Sequence, residues 1–231
     1  MRFCRCEMLI GADALENLKN SSVAVFGVGG VGGYAVEALT RSGVGRIAII
    51  DKDVVDESNI NRQIVALTST IGKNKVDVMK QRMLDINPDV KVEAHCEFYL
   101  PDNADFIELG SFDYVVDAID NVTAKIELIK RCKQADVPII SAMGAGNKLD
   151  PTRIEIADIS KTSVCPLAKV IRRKLADLGI EGVTVAYTRE IPANASGGRT
   201  PASMMPVPAA MGLTMASKVL RDLSGMRIKS R

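Results

Sequence analysis

Four clusters of residues bring together the groups that seat and neutralise a nucleotide's phosphates and ribose. Gly27, Gly29, Gly30 and Gly32 follow the apolar run Val23-Ala-Val-Phe and precede a stretch of helical character. This pattern predicts a strand, a tight turn and a helix start, which present backbone N–H groups and a positive dipole end to an anion. Asp51 stands nineteen residues after Gly32, at the end of a second apolar run. A carboxylate there can accept both hydroxyls of a ribose, and Asp53 lies two residues on. Ser58-Asn59-Ile-Asn61-Arg62-Gln63 then adds a guanidinium and side-chain amides, and Lys73 and Lys75 open the next helix. Asp117-Ala-Ile-Asp120-Asn121 ends a fourth strand, at the sheet edge where ligands bind in such folds. A carboxylate there could hold Mg²⁺ through water or phosphate.

The charge near the glycine turn separates two kinds of nucleotide chemistry. Hydride transfer with NAD needs little cationic charge beside the pyrophosphate. Cleavage of ATP between its α and β phosphates needs developing negative charge to be neutralised by Arg, Lys and a divalent ion. Asn59, Arg62, Gln63, Lys75 and Asp120 together therefore favour ATP used as an adenylating agent.

The elements that must position these groups alternate. Strands are expected at 22–27, 46–51, 91–95, 114–118 and 138–142, each short and rich in Val and Ile. Helices are expected near 30–42, 74–86, 102–109 and 122–135; Val76, Met79, Met83 and Ile86 recur at helical spacing. This order implies a Rossmann-like α/β fold with a mostly parallel sheet and helices on both faces. After residue 142 the rhythm changes. Residues 145–151 look like a turn between two short strands, and 153–157 alternates as an antiparallel strand. Pro166 opens a helix whose buried stripe is Leu167, Ile171, Leu175 and Leu178. A strand at 183–188, a long polar loop at 189–203 and a small-residue helix at 207–223 complete the chain.

The 231 residues suit one well-buried domain, with 1–160 as its nucleotide-binding part and 161–231 as a basic part facing the substrate. The net charge of +2 conceals an asymmetry. Residues 161–231 hold twelve Lys and Arg against four Asp and Glu, whereas 1–160 hold eighteen against twenty-four. A basic C-terminal third suits a polyanion as readily as it suits a solvated face. Five cysteines without a C-x-x-C pair argue against a four-cysteine zinc site. Free thiols and no signal-like apolar segment lead us to expect a cytoplasmic protein, and no apolar run reaches membrane-spanning length. The single histidine, His95, ends a strand and is expected to be structural.

These motifs resemble the adenylation domain of the ubiquitin-activating-enzyme-like (ThiF/HesA/MoeB) superfamily along residues 2–225, most specifically in Ser58–Gln63. The resemblance implies that Asp51 binds the ATP ribose, that Arg62, Gln63 and Lys75 contact phosphates, and that Asp120 holds Mg²⁺. Arg2-Phe-x-Arg5 is similar to the superfamily's N-terminal Arg-aromatic-x-Arg, which implies a homodimer with Arg5 reaching into the partner's ATP site.

Two stretches, 158–175 and 201–212, further resemble the branch of dehydratases that act on threonylcarbamoyladenosine in tRNA. That branch implies an acyl-adenylate followed by ring closure, with Lys161, Lys169, Arg172 and Arg173 facing tRNA phosphates. Cys165, at a helix start, has the position of an acidified nucleophile. In the branch this position is often Asp, so a capping or packing role is expected. The alternatives are activation of a ubiquitin-like sulfur carrier, and a nucleotide-binding sensor without turnover. Any helper protein is unknown from sequence.

Overall fold

The computed structural model describes residues 2–193 and 201–226. Two short helices, α1 (Cys4–Ile10) and α2 (Ala12–Asn20), precede the nucleotide-binding unit. Neither was anticipated: α1 buries no residue, and α2 rests on a stripe of only Ala14, Leu15 and Leu18. The chain then alternates through β1 (Ser22–Phe26), α3 (Gly32–Arg41), β2 (Arg46–Ile50), α4 (Lys75–Ile86), β3 (Lys91–His95), β4 (Tyr114–Asp117), α5 (Val122–Gln134) and β5 (Ile139–Ala142). It ends with β6 (Ile154–Asp158), α6 (Pro166–Asp177), β7 (Thr184–Thr188) and α7 (Pro206–Ser224).

The seven strands lie in the order β3-β2-β1-β4-β5-β7-β6, all parallel except β6, which runs antiparallel to β7. Chain direction across the sheet reverses between β1 and β4, which opens a crevice beyond their carboxyl ends. The expected antiparallel strand is thus present. The turn after residue 142 joins β5 to β6, but the two do not pair, because β7 lies between them. The helix expected at 102–109 is not formed: residues 104–106 and 109–111 make two separate 3₁₀ turns. Pro101 and Gly110 bracket the segment; Ile107 is buried from extended backbone between the two turns and Leu109 from the start of the second.

Strand side chains alternate between two cores. Val23, Val25, Ile47 and Ile49 face α3, α4 and α7, whose Leu39, Met79, Met83, Met211 and Met215 complete one layer. Ala24, Phe26, Ala48 and Ile50 face α5 and α6 through Leu128, Ile129, Ile171 and Leu175. Met79 and Met83 are core, as their spacing implied, whereas Met8, Met204, Met205 and Met226 are exposed. α7 approaches α3 closely at Gly212, where a Cβ would stand 2.2 Å from the Val31 carbonyl oxygen. No helix among the described residues is long and apolar enough to cross a membrane.

Candidate active site

The carboxyl ends of β1, β2, β4 and β5 open into a cleft of about 750 Å³. Gly27 closes the turn after β1, donating its N–H to the Ile50 carbonyl at 2.7 Å. Its φ of +89° and its distance to the next segment both exclude a side chain: a Cβ would meet the Ala118 oxygen at 2.6 Å. At Gly32 a Cβ would lie 1.8 Å from the Gly27 oxygen. No side chain caps the first turn of α3, although the Gly33 N–H already donates to the Gly29 carbonyl at 3.0 Å. Gly29 and Gly30 line the cleft itself.

Asp51 does more than its position after β2 suggested. Its Oδ2 accepts from the Val28 N–H at 2.7 Å and its Oδ1 from the Asp53 N–H at 2.9 Å. The carboxylate clamps the glycine turn to the end of β2, and each oxygen keeps a further lone pair for a ribose hydroxyl. Asp53 pairs with Lys75 at 3.0 Å and with Lys52 at 3.3 Å. Partial burial raises the Asp53 carboxyl, but the hydrogen bonds and charges of Lys75 and Lys52 outweigh it and hold the group below its ordinary value. Lys75, only 5% exposed, is thereby held in place at the cleft.

The 58–63 segment is braced from within. Asp56 and Asn59 form a reciprocal capping box, and Asn59 Oδ1 accepts the Asp56 N–H at 3.3 Å. Arg62 Nη1 donates to the Ser58 carbonyl at 2.8 Å and to Asn61 Oδ1 at 2.9 Å, both uncharged partners. Among the described residues no carboxylate neutralises this guanidinium. Gln63 is nearly buried, and its Oε1 lacks any hydrogen-bond partner. The Nε2 of the same amide comes within 3.8 Å of where a Gly29 Cβ would stand, which places a donor at the glycine turn.

After β4, Asp120 is exposed and lines the cleft. Beneath it lies a group of which sequence reasoning named only Asp117, without its partners. Asp117 and Lys125, both with fully buried side chains, pair at 2.7 Å. Ser141 Oγ donates to the same Asp117 oxygen at 2.6 Å, and the other oxygen accepts the Ile119 N–H at 3.1 Å. Asp117 thus fixes the backbone that carries Asp120. Also missed were Phe98 and Tyr99, which wall the cleft after β3, and Lys148, which enters it after β5. Two consecutive aromatics just past a strand were a readable signal; Lys148 had none.

Several expected residues lie elsewhere. Lys73 precedes α4 and lines a separate cleft of about 720 Å³, together with Arg2, Arg41 and Arg82. That cleft contains none of the glycine-turn residues. Arg5, exposed on α1, faces neither cleft. Lys161, Lys169 and Arg173 are exposed on α6 and the turn before it. Arg172 is half-buried, and its Nη1 is engaged by the Thr162 carbonyl and hydroxyl at 2.9 and 2.7 Å. Cys165 stands at the N-cap of α6, but its thiol makes no capping bond; it is buried against Gly144. His95 is half-buried beside Phe106, ring centroids 5.6 Å apart. Of the polar loop, residues 194–200 lie outside the described residues.

The whole arrangement has known counterparts. The chain is 49% identical over 240 residues to the tRNA threonylcarbamoyladenosine dehydratase of Bacillus subtilis, covering 96% of this chain and 94% of that one. It superposes with a TM-score of 0.91 on the crystal structure of the E. coli tRNA N6-threonylcarbamoyladenosine dehydratase in complex with ATP, at 36% identity, covering 97% and 94% of the two chains. An adenylyltransferase and sulfurtransferase of Lodderomyces elongisporus is 37% identical over 132 residues, which is 57% of this chain and 29% of that protein. The ThiF family model spans residues 3–231, and the chain belongs to the ThiF family.

Proposed function

We propose that this protein is an ATP-dependent dehydratase that cyclises threonylcarbamoyladenosine in tRNA through an acyl-adenylate. One observation carries the reading. Similarity to the B. subtilis dehydratase runs nearly end to end, through the α6 segment as well as the nucleotide cleft. The sulfur-carrier-type relative matches over little more than half the chain, so activation of a carrier protein is the weaker reading.

In this mechanism Asp51 takes the ribose, and the glycine turn with the first turn of α3 receives phosphate oxygens. Arg62, Lys75 and Gln63 face the α and β phosphates. The threonyl carboxylate attacks the α phosphorus and pyrophosphate leaves, so charge builds on oxygens that Arg62 and Lys75 are placed to stabilise. Among the described residues no three His, Cys, Asp or Glu side chains gather into a metal cage. Asp120 is a single exposed carboxylate, which suits a hard cation that takes its other ligands from phosphate and water. Mg²⁺ held there would neutralise charge on the departing pyrophosphate. The carbamoyl group then closes on the activated carbonyl and AMP leaves. Because this step is intramolecular, orientation supplies much of its rate.

The basic face of α6, with Lys169 and Arg173 and with Lys161 before it, is suited to tRNA phosphates, and Arg172 orders the turn that carries Lys161. We further read the enzyme as a cytoplasmic homodimer in which Arg5 completes the partner's site. The direct test incubates the protein with ATP, Mg²⁺ and threonylcarbamoylated tRNA. The expected result is a nucleoside lighter by one water, together with AMP. An unchanged nucleoside under these conditions overturns the assignment.

A further inference from the structure

Three lysines are buried among the described residues, and two are paired: Lys125 with Asp117 at 2.7 Å and Lys75 with Asp53 at 3.0 Å. The third, Lys148, is only 3% exposed and lines the cleft. A lysine this buried is rare without a carboxylate partner. The nearest candidate, Glu190, is occupied elsewhere: its two oxygens accept the Leu149 and Asp150 N–H groups at 2.8 and 2.9 Å. The Lys148 amine donates instead to the neutral Glu190 backbone carbonyl.

Its surroundings are firmly built. Asn147, with φ of +58°, donates its N–H to the Ala202 carbonyl. Its own carbonyl accepts from Ala193 and its Oδ1 from Ala202, all at 2.7 Å. Three separate segments are thereby drawn around the lysine. The sheet order fixes where this lies along the cleft. Asp51 follows β2, the glycine turn follows β1, Asp120 follows β4 and Lys148 follows β5. If the ribose lies at β2 and the phosphates between β1 and β4, the activated carboxyl group and its carbamoyl neighbour extend toward β5.

We propose that Lys148 is the general base of ring closure, a role that rests on the dehydratase reading. Its neutral amine takes the proton from the carbamoyl N–H as the carbamoyl group bonds to the acyl carbon. The acyl C–O bond to phosphate breaks, AMP leaves with the electron pair, and Lys148 is left as an ammonium hydrogen-bonded to the Glu190 carbonyl. Burial lowers the amine's proton affinity, which favours the neutral form. The groups that oppose this are the Cys165 thiol and the Glu190 carboxylate, which face it from α6 and from the segment after β7.

The test separates the half-reactions in Lys148→Met and Lys148→Ala, using threonylcarbamoylated tRNA and ATP with Mg²⁺. Pyrophosphate release should stay within about threefold of wild type, while cyclised nucleoside in a single turnover should fall about 100-fold or more. The wild-type closure rate should rise along an acidic limb that Lys148→Met lacks. Methylamine should restore closure to Lys148→Ala in proportion to its free-base concentration. Closure by Lys148→Met within about threefold of wild type overturns the proposal. So does parallel loss of both half-reactions without amine rescue, which marks a structural role. Wild-type protein that forms no cyclised product refutes the dehydratase reading itself, a result distinct from either.

Discussion

Arg62 brings an uncancelled guanidinium to the cleft. Its fixed partners are a backbone carbonyl and the Asn61 amide oxygen, so removing it leaves no buried charge unpaired. Arg62→Ala should therefore keep the fold, with a melting temperature close to wild type, while pyrophosphate release falls about 100-fold or more. Asp120→Ala should behave alike, and raising Mg²⁺ should recover part of its activity if the carboxylate holds the cation. A loss of folded structure in either variant would remove these residues from the chemistry. At this scale the sequence was legible wherever a motif is local. Gly27, Asp51, Asn59, Arg62, Gln63, Lys75 and Asp120 all face one cleft; Gly27, Asp51 and Asp120 sit just past strand ends, and the 58–63 string is contiguous. Lys148 was not legible, because its burial depends on residues 190–193 and 201–203, brought together by Asn147 from far along the chain. The bracing roles of Asp51 and Asp53 were likewise hidden, since a carboxylate's spacing does not tell whether it serves a ligand or the backbone.

The pairing of Asp117 with Lys125 links β4 to α5, and Ser141 joins both to β5. With both side chains fully buried, truncating either partner strands the other's charge away from water. Lys125→Met should cost about 3–5 kcal/mol, seen as a melting temperature lower by about 10 °C. Because Asp117 also holds the Ile119 N–H, adenylation should weaken even where the variant remains folded. The exposed pair of Lys19 and Glu16 offers a control: Glu16→Ala should change stability by under about 1 kcal/mol. Equal effects from the two changes would show that the buried group does not govern this end of the sheet. The strands themselves were legible because Val and Ile runs between turn residues leave little choice. The 102–109 segment was not, since its apolar residues fit helical spacing while its packing is decided by β3 and α5. For α1 the reason is different: a helix that buries nothing in its own chain carries no core-facing stripe to read.

That last feature bears on the whole molecule. α1 exposes Met8 and Leu9 at 82% and 79%, and carries Arg5 on the same short helix, away from its own cleft. An apolar surface beside a cation with no local use fits a second copy of the chain better than it fits solvent. If each ATP site combines Arg62 of one protomer with Arg5 of the other, Arg5→Ala and Arg62→Ala are each inactive alone. Mixed in equal amounts and allowed to exchange, half the dimers are hybrids. Each hybrid has one site with both arginines and one with neither, so activity should return to about a quarter of wild type. Sizing at matched concentration confirms exchange, and tRNA-dependent AMP formation gives the readout. Restored activity would place Arg5 in trans. A mixture that exchanges yet stays inactive would leave Arg5 without a part in catalysis, and the apolar face of α1 would then need another occupant.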